Sequence, residues 1–138
     1  MGVDVGVPDL VRSYVEQRDA AAVQTGAPGR LLAFYSVECG LKAAILGKNG
    51  ISARSTEALP PALRTHDLRR LAKELGVVMR RDRELAGCRR RHDGAAKVPP
   101  QDLHEAWRYG AALNEEDEKA VDAALTSLSD WCRQEHRR

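Results

Sequence analysis

The chain is poor in aromatic residues, with one Phe, two Trp and three Tyr in 138 residues. Leucine and alanine dominate instead, and this favours helices over sheet. Strand-like alternation and internal repeats are missing. No apolar run approaches the ~20 residues that a membrane span needs. The opening MGVDVGVPDL has no basic n-region and no long apolar stretch, so no signal peptide is read there. Gly6 stands where myristoylation would want Ser or Thr. The cysteines are only Cys39, Cys88 and Cys132, odd in number and far apart. That argues against a disulfide framework and for reduced thiols in the cytoplasm. Neither sign of charge is in excess: the net charge is +2, so any nucleic-acid role must come from local clustering.

What is present is 43% hydrophobic and 30% charged, the balance of a water-soluble globular chain, at a length suited to one domain spanning residues 1–138. Pro8 suits a first helical turn, and Leu10, Val11, Tyr14 and Val15 follow at helical spacing, predicting a helix over 8–24. TGAPG (25–29) reads as a turn. A second helix is expected from about Arg30 to Leu46, with the stripe Leu31, Phe34, Tyr35, Leu41 and Ile45. A long Gly/Ser/Pro-rich connection, 47–64, leads to THDLRRLAKELG. There Thr65 is the candidate cap, Leu68, Leu71 and Leu75 the apolar face, and Gly76 the stop. The arginine-rich segment 79–94 is expected to be a short helix with loose ends. Pro99-Pro100 breaks the chain before a short helix near Gln101 that presents Leu103, Trp107 and Leu113. Asn114 is placed to cap the last helix, with Glu115, Glu116 and Asp117 at its positive end and Val121, Leu125, Leu128, Trp131 and Cys132 as its stripe. The architecture expected is all-α, an antiparallel up-and-down bundle of about five helices. Trp107, Trp131 and Tyr35 are assigned to the core.

Gly47-Lys48 is a tempting phosphate loop. A P-loop needs Gly, four residues, then Gly-Lys and Ser or Thr, between a strand and a helix. Here the preceding glycine, Gly40, is two residues too distant, Asn49 takes the hydroxyl position, and the segment before it is helical by period. Gly47 therefore reads as the left-handed residue past a helix end. Glu38 lies four residues before Lys42, the favourable order for an ion pair within a helix.

Three stretches in order resemble the HEPN family of small helical-bundle proteins. The first is FYSVECGLKAAILGKNG, through Phe34, Tyr35, Glu38, Leu41, Lys42 and Ala43. The second is RTHDLRRLAKELG, through His66, Asp67, Leu68 and Leu71. The third is AWRYGAALNEEDEKAVDAALTSLSDWC, through Arg108, Tyr109, residues 114–117 and Trp131, with Gly110 where the family turn has proline. The resemblance covers roughly residues 10–135. It implies a five-helix bundle, a homodimer, and an association with nucleotides or RNA. Catalytic members are metal-independent ribonucleases in which an Arg, four to six residues before a His, holds phosphate while the His moves a proton. None of the four histidines here has an arginine at that spacing. Lys97 before His104 is the nearest substitute, and it lacks the guanidinium fork. The resemblance then implies a non-catalytic member, such as the subunit of a nucleotidyltransferase-linked, defence or toxin–antitoxin system. The chain carries no nucleotidyltransferase signature of its own.

Binding candidates are His66, Arg89, Arg90, Arg91, Arg108 and Tyr109. His66 either meets a ligand or makes a capping or interhelical hydrogen bond. Arg108 either contacts phosphate, stacks on Trp107 or pairs with Glu38. Arginines 80, 81, 83, 89, 90 and 91 outnumber Asp82 and Glu84 and form either a phosphate patch or a solvated face, each contributing little to folding. Cys88/His92 and Cys132/His136 share a four-residue spacing, but neither pair has a Cys-x-x-Cys partner, and no metal or other cofactor is expected. Two rivals remain: a dimeric adaptor that docks a partner protein without binding nucleic acid, and a ribonuclease with a rearranged site using His104 or His92 with nearby arginines such as Arg108. Breadth of the 31–45 and 121–132 stripes is the sequence's own reason to expect a homodimer.

Overall fold

The computed structural model describes residues 3–48, 55–80 and 84–137. Arg81, Asp82 and Arg83 of the basic stretch, and Asn49, lie outside the described residues. Helix α1 (Val7–Ala22) starts with a proline in its first turn, where a missing N–H costs nothing, and buries Leu10 and Tyr14. Helix α2 (Gly26–Lys48) follows. It starts at Gly26, where φ is +67°, rather than at Arg30, so the presumed turn TGAPG supplies most of its first turn. It also runs through Gly47 instead of ending there. A helical glycine costs ~1 kcal/mol against alanine. The buried Ile45 and Leu46 just before it outweigh that cost.

Helix α3 (Leu68–Glu74) is capped by Asp67, not Thr65. The Asp67 carboxylate accepts from the Arg70 N–H at 3.3 Å, while the Thr65 hydroxyl accepts from the Asp67 N–H at 3.0 Å. At the other end Gly76 takes φ +69°, and Val77 N–H reaches back to the Ala72 carbonyl. The basic segment departs most from expectation. Its described residues are not helical: β1 (Cys88–Arg89) pairs antiparallel with β2 (Lys97–Val98), Cys88 opposite Val98. Two local features decide this. A Cβ at Gly87 would stand 2.3 Å from the Val98 carbonyl oxygen, so only glycine permits that approach. Asp93-Gly94 forms the turn, with the Asp93 carboxylate accepting from the Ala95 N–H.

A 3-10 turn, Pro100–Asp102, leads into the short α4 (Leu103–Arg108). Helix α5 (Glu115–His136) is capped by the Asn114 side chain, which accepts from the Asp117 N–H at 3.0 Å, and four acids fill its first turn. It buries Val121, Leu125, Leu128 and Cys132, with Trp131 only partly covered. The molecule is an all-α bundle with α2 at its centre: α1, α3, α4 and α5 all pack on that one helix. Ten residues of α2 are buried, and the stripes on α2 and α5 pack largely within the chain, with Leu31, Tyr35 and Trp131 only partly covered. The large exposed hydrophobic residues, Val3, Val23, Val78 and Tyr109, are scattered along the sequence. Among the described residues no helix is long and apolar enough to cross a membrane.

Cys88 and Cys132 are core residues, and burial pushes both thiols up to about 12. His136 Nε2 lies 2.8 Å from the Gly40 carbonyl oxygen. Among the described residues no group of His, Cys, Asp and Glu is arranged to hold a metal ion. Gly40 marks a close approach of α2 to α5. A Cβ there would sit 2.7 Å from Cys132 Sγ and 3.2 Å from the Tyr14 ring. Gly40→Ala should therefore destabilise the fold, because overpacking of ~1–3 kcal/mol exceeds the ~1 kcal/mol of helix propensity gained. Denaturant unfolding checks this, and in the Cys132→Ala background the same change should cost markedly less.

Candidate polar site on the central helix

Helix α2 carries a polar edge amid its buried length. Tyr35, Glu38 and Lys42 stand at i, i+3 and i+7, so they share a face. Glu38 is the hub. Its Oε2 lies 2.8 Å from Lys42 Nζ and its Oε1 lies 2.7 Å from His66 Nδ1, with only 12% of its side chain exposed. His66 comes from the loop that the Asp67 cap holds against α3, and its side chain is 53% exposed. With Nδ1–H directed at the carboxylate, Nε2 of a neutral ring is left as an acceptor, and of a charged ring as a donor.

His104 on α4 completes the floor. It is 4% exposed, and its ring lies 4.4 Å from that of His66 and 5.4 Å from Phe34, stacked on the latter. Its Nδ1 makes a long 3.5 Å contact with the Tyr35 hydroxyl. Burial, followed by the nearby charge of His66, holds the His104 imidazole below the ordinary histidine range, against the pull of Glu105 and Glu38. Arg108, at the end of α4, donates to the Tyr35 hydroxyl. Its guanidinium carbon lies 5.9 Å from the Tyr35 ring centre and 5.8 Å from that of Tyr109. Of the roles open to Arg108, neither stacking on Trp107 nor pairing with Glu38 is found. Trp107 is buried and donates to Glu118 instead.

His66, His104, Arg108 and Tyr109 thus gather with Tyr35, Glu38 and Lys42. Arg89, Arg90 and Arg91 share no hydrogen bond, ion pair or ring contact with that group among the described residues. Arg89 forks Asp117 at 2.9 and 3.1 Å, and its backbone N–H adds a third bond at 2.8 Å. These bonds hold the Asp117 carboxyl below the usual carboxylate range. Arg91 donates to the Leu113 carbonyl at 3.1 Å. Two of the three arginines therefore fasten the hairpin to the start of α5, and the expectation that each contributes little to folding does not hold for them. Arg90 is exposed.

Tyr35 belongs to the site rather than wholly to the core. Sequence reasoning missed this, although a hydroxyl, a carboxylate and an ammonium at i, i+3 and i+7 on an otherwise apolar helix is a readable signal. Two clefts lie elsewhere. One, of about 550 Å³, runs between α1, α2 and α5 and includes Arg18, Arg30 and Asp122; the other, of about 1010 Å³, follows α3 past Arg69, Arg70 and Lys73. Neither is lined by His66, His104 or Arg108. In the first, Arg30 is already forked on Asp122 at 2.9 Å. Comparison with protein-family models, with curated proteins and with solved structures finds no match to this chain.

The depressed His104 pKa fixes a sign. A group that is harder to protonate in the folded state binds more protons when unfolded. Its stabilising contribution is then full above the ordinary histidine pKa and is lost as pH falls through that value toward the folded one. Stability should decline on acidification through that window, and less so in His104→Gln. Imidazole NMR titration should place His104 below the ordinary histidine value.

Proposed function

We propose that this chain is a HEPN-like bundle protein that binds a phosphate of a nucleotide or RNA at the Glu38–His66–His104–Arg108 cluster without cutting it. The observation that carries the proposal is convergence. The three stretches behind the resemblance lie far apart in sequence, yet Tyr35 and Glu38, His66, and Arg108 and Tyr109 meet through short contacts. Charge supports an anionic ligand. Glu38 is already matched by Lys42, which leaves the Arg108 guanidinium as a fixed cation at the exposed rim, beside the outward-facing nitrogen of His66. Absence of the Arg/His spacing and the 4.4 Å approach of the two imidazoles both disfavour cleavage. Rings that close cannot take opposite sides of one phosphodiester as acid and base. A cytoplasmic setting is inferred from the three free cysteines, a homodimer from the resemblance and the breadth of the helical stripes, and a nucleotidyltransferase, defence or toxin–antitoxin partner from the resemblance alone.

One observation favours the ribonuclease alternative. A carboxylate 2.7 Å from an imidazole whose other nitrogen is free is the arrangement that orients a general base. The same assay separates the two. A labelled single-stranded RNA should bind with an affinity that falls steeply with salt. Arg108→Gln and His66→Ala should each weaken it by roughly tenfold or more, the loss of one charge-assisted hydrogen bond. The strand should stay intact on a denaturing gel. Cleavage that disappears in both His66→Ala and Glu38→Gln would establish the enzyme instead. An intact strand with no binding at low salt would favour the adaptor.

A further inference from the structure

Tyr109 is the one aromatic residue of the described chain that the fold leaves outside: it is 74% exposed. Its position is nevertheless fixed. It caps α4, with its N–H on the Glu105 carbonyl at 2.9 Å. Gly110 then takes φ +78°, and the Ala111 N–H closes on the Ala106 carbonyl at 2.8 Å. One side of the ring faces the Arg108 guanidinium, which also lies over Tyr35. The result is an aromatic surface held rigid beside the phosphate-binding cation, with no packing role in the core.

We infer that Tyr109 is a stacking platform for an unpaired nucleobase, so that the site takes single-stranded RNA with a base on Tyr109 and the adjoining phosphate on Arg108 and His66. The proposal rests on phosphate binding at this cluster and adds the class of strand. Three features support it. A base in a duplex is already stacked on both faces, so an exposed ring can compete only for an unpaired one. Stacking tolerates any base, which suits a site with one open ring. His66 is 53% exposed and Tyr109 74% exposed, so the rim of the site is open for an extended strand to cross.

The test uses the full chain with a fluorescein-labelled oligoadenosine strand, an abasic strand of equal length and a blunt RNA duplex. Tyr109→Ala should weaken the oligoadenosine roughly tenfold, within the range seen when a stacking aromatic is removed. It should cost the abasic strand much less, while Tyr109→Phe and Tyr109→Trp should retain or improve binding. The duplex should compete poorly. Because the ring is exposed, the variants should melt with the wild type, and circular dichroism confirms that they fold. Inorganic phosphate supplies the independent arm: it should shift the His66 and His104 imidazole resonances, and Arg108→Gln should abolish those shifts. If phosphate acts so but Tyr109→Ala binds oligoadenosine like the wild type, the platform is overturned and phosphate binding stands. An equal loss on base-bearing and abasic strands, or a duplex that competes as well as the single strand, overturns it too. If phosphate moves neither imidazole and no strand binds, both fall together.

Discussion

Burial of α2 is the constraint on which the rest depends. A helix with ten buried residues, flanked by four others, has almost nowhere to put a charge. Glu38 is placed on the polar edge it shares with Tyr35 and Lys42 and is still only 12% exposed. A carboxylate so covered is costly unless its oxygens are paired. Lys42 answers one oxygen from the next turn of the same helix. The other requires a group from elsewhere in the chain, and His66 supplies it across 28 residues. Through that bond the loop ahead of α3 is tied to the centre of the bundle.

The same bond sets the chemistry. It fixes which His66 nitrogen faces the carboxylate, and so which one faces outward. His104, packed between Phe34 and His66, is kept toward its neutral form by burial, so two adjacent imidazoles are not both charged. Arg108 is steadied by the Tyr35 hydroxyl and by two aromatic rings, which reduces what it must lose in freedom on meeting an anion. Arg30, by contrast, has its fork already filled by Asp122, with Glu118 at 3.6 Å. It is a structural pair beside a cleft, where Arg108 is a positioned cation beside an open rim.

Much of the bundle was legible because its signals are local. The Asn114 cap, the acidic first turn of α5, its stripe and the Gly76 stop each depend on residues a few positions apart. The misreadings concern competition and distance. Thr65 and Asp67 both carry capping oxygens, and only the finished turn decides between them. Gly47 looked like a terminator, yet burial of the residues before it carried the helix onward. The arginine run masked a two-residue ladder whose cause, the approach of Gly87 to Val98, spans eleven positions. The site's residue types were readable, but the Glu38–His66 bond and the recruitment of Tyr35 were not, because no period links one helix edge to a loop and to another helix's end.

Core and site draw on different residues of the same three stretches. Phe34, Leu41, Leu68, Leu71 and Trp107 are buried, and a stable bundle needs residues of their kind there. Packing asks for nothing like the others. An aliphatic side chain at 38 would satisfy α2 without a partner, and a polar residue at 109 would suit an exposed cap better than a phenol. A histidine at 104, buried and biased against its charged form, stabilises less than a leucine of similar volume would. Glu38 and His104 each meet His66, and Tyr109 lies against Arg108 at the end of His104's own helix, so these three choices run against stability in one region. Function is the ordinary reason for a fold to carry that cost, and the anion binding proposed for this rim would supply it.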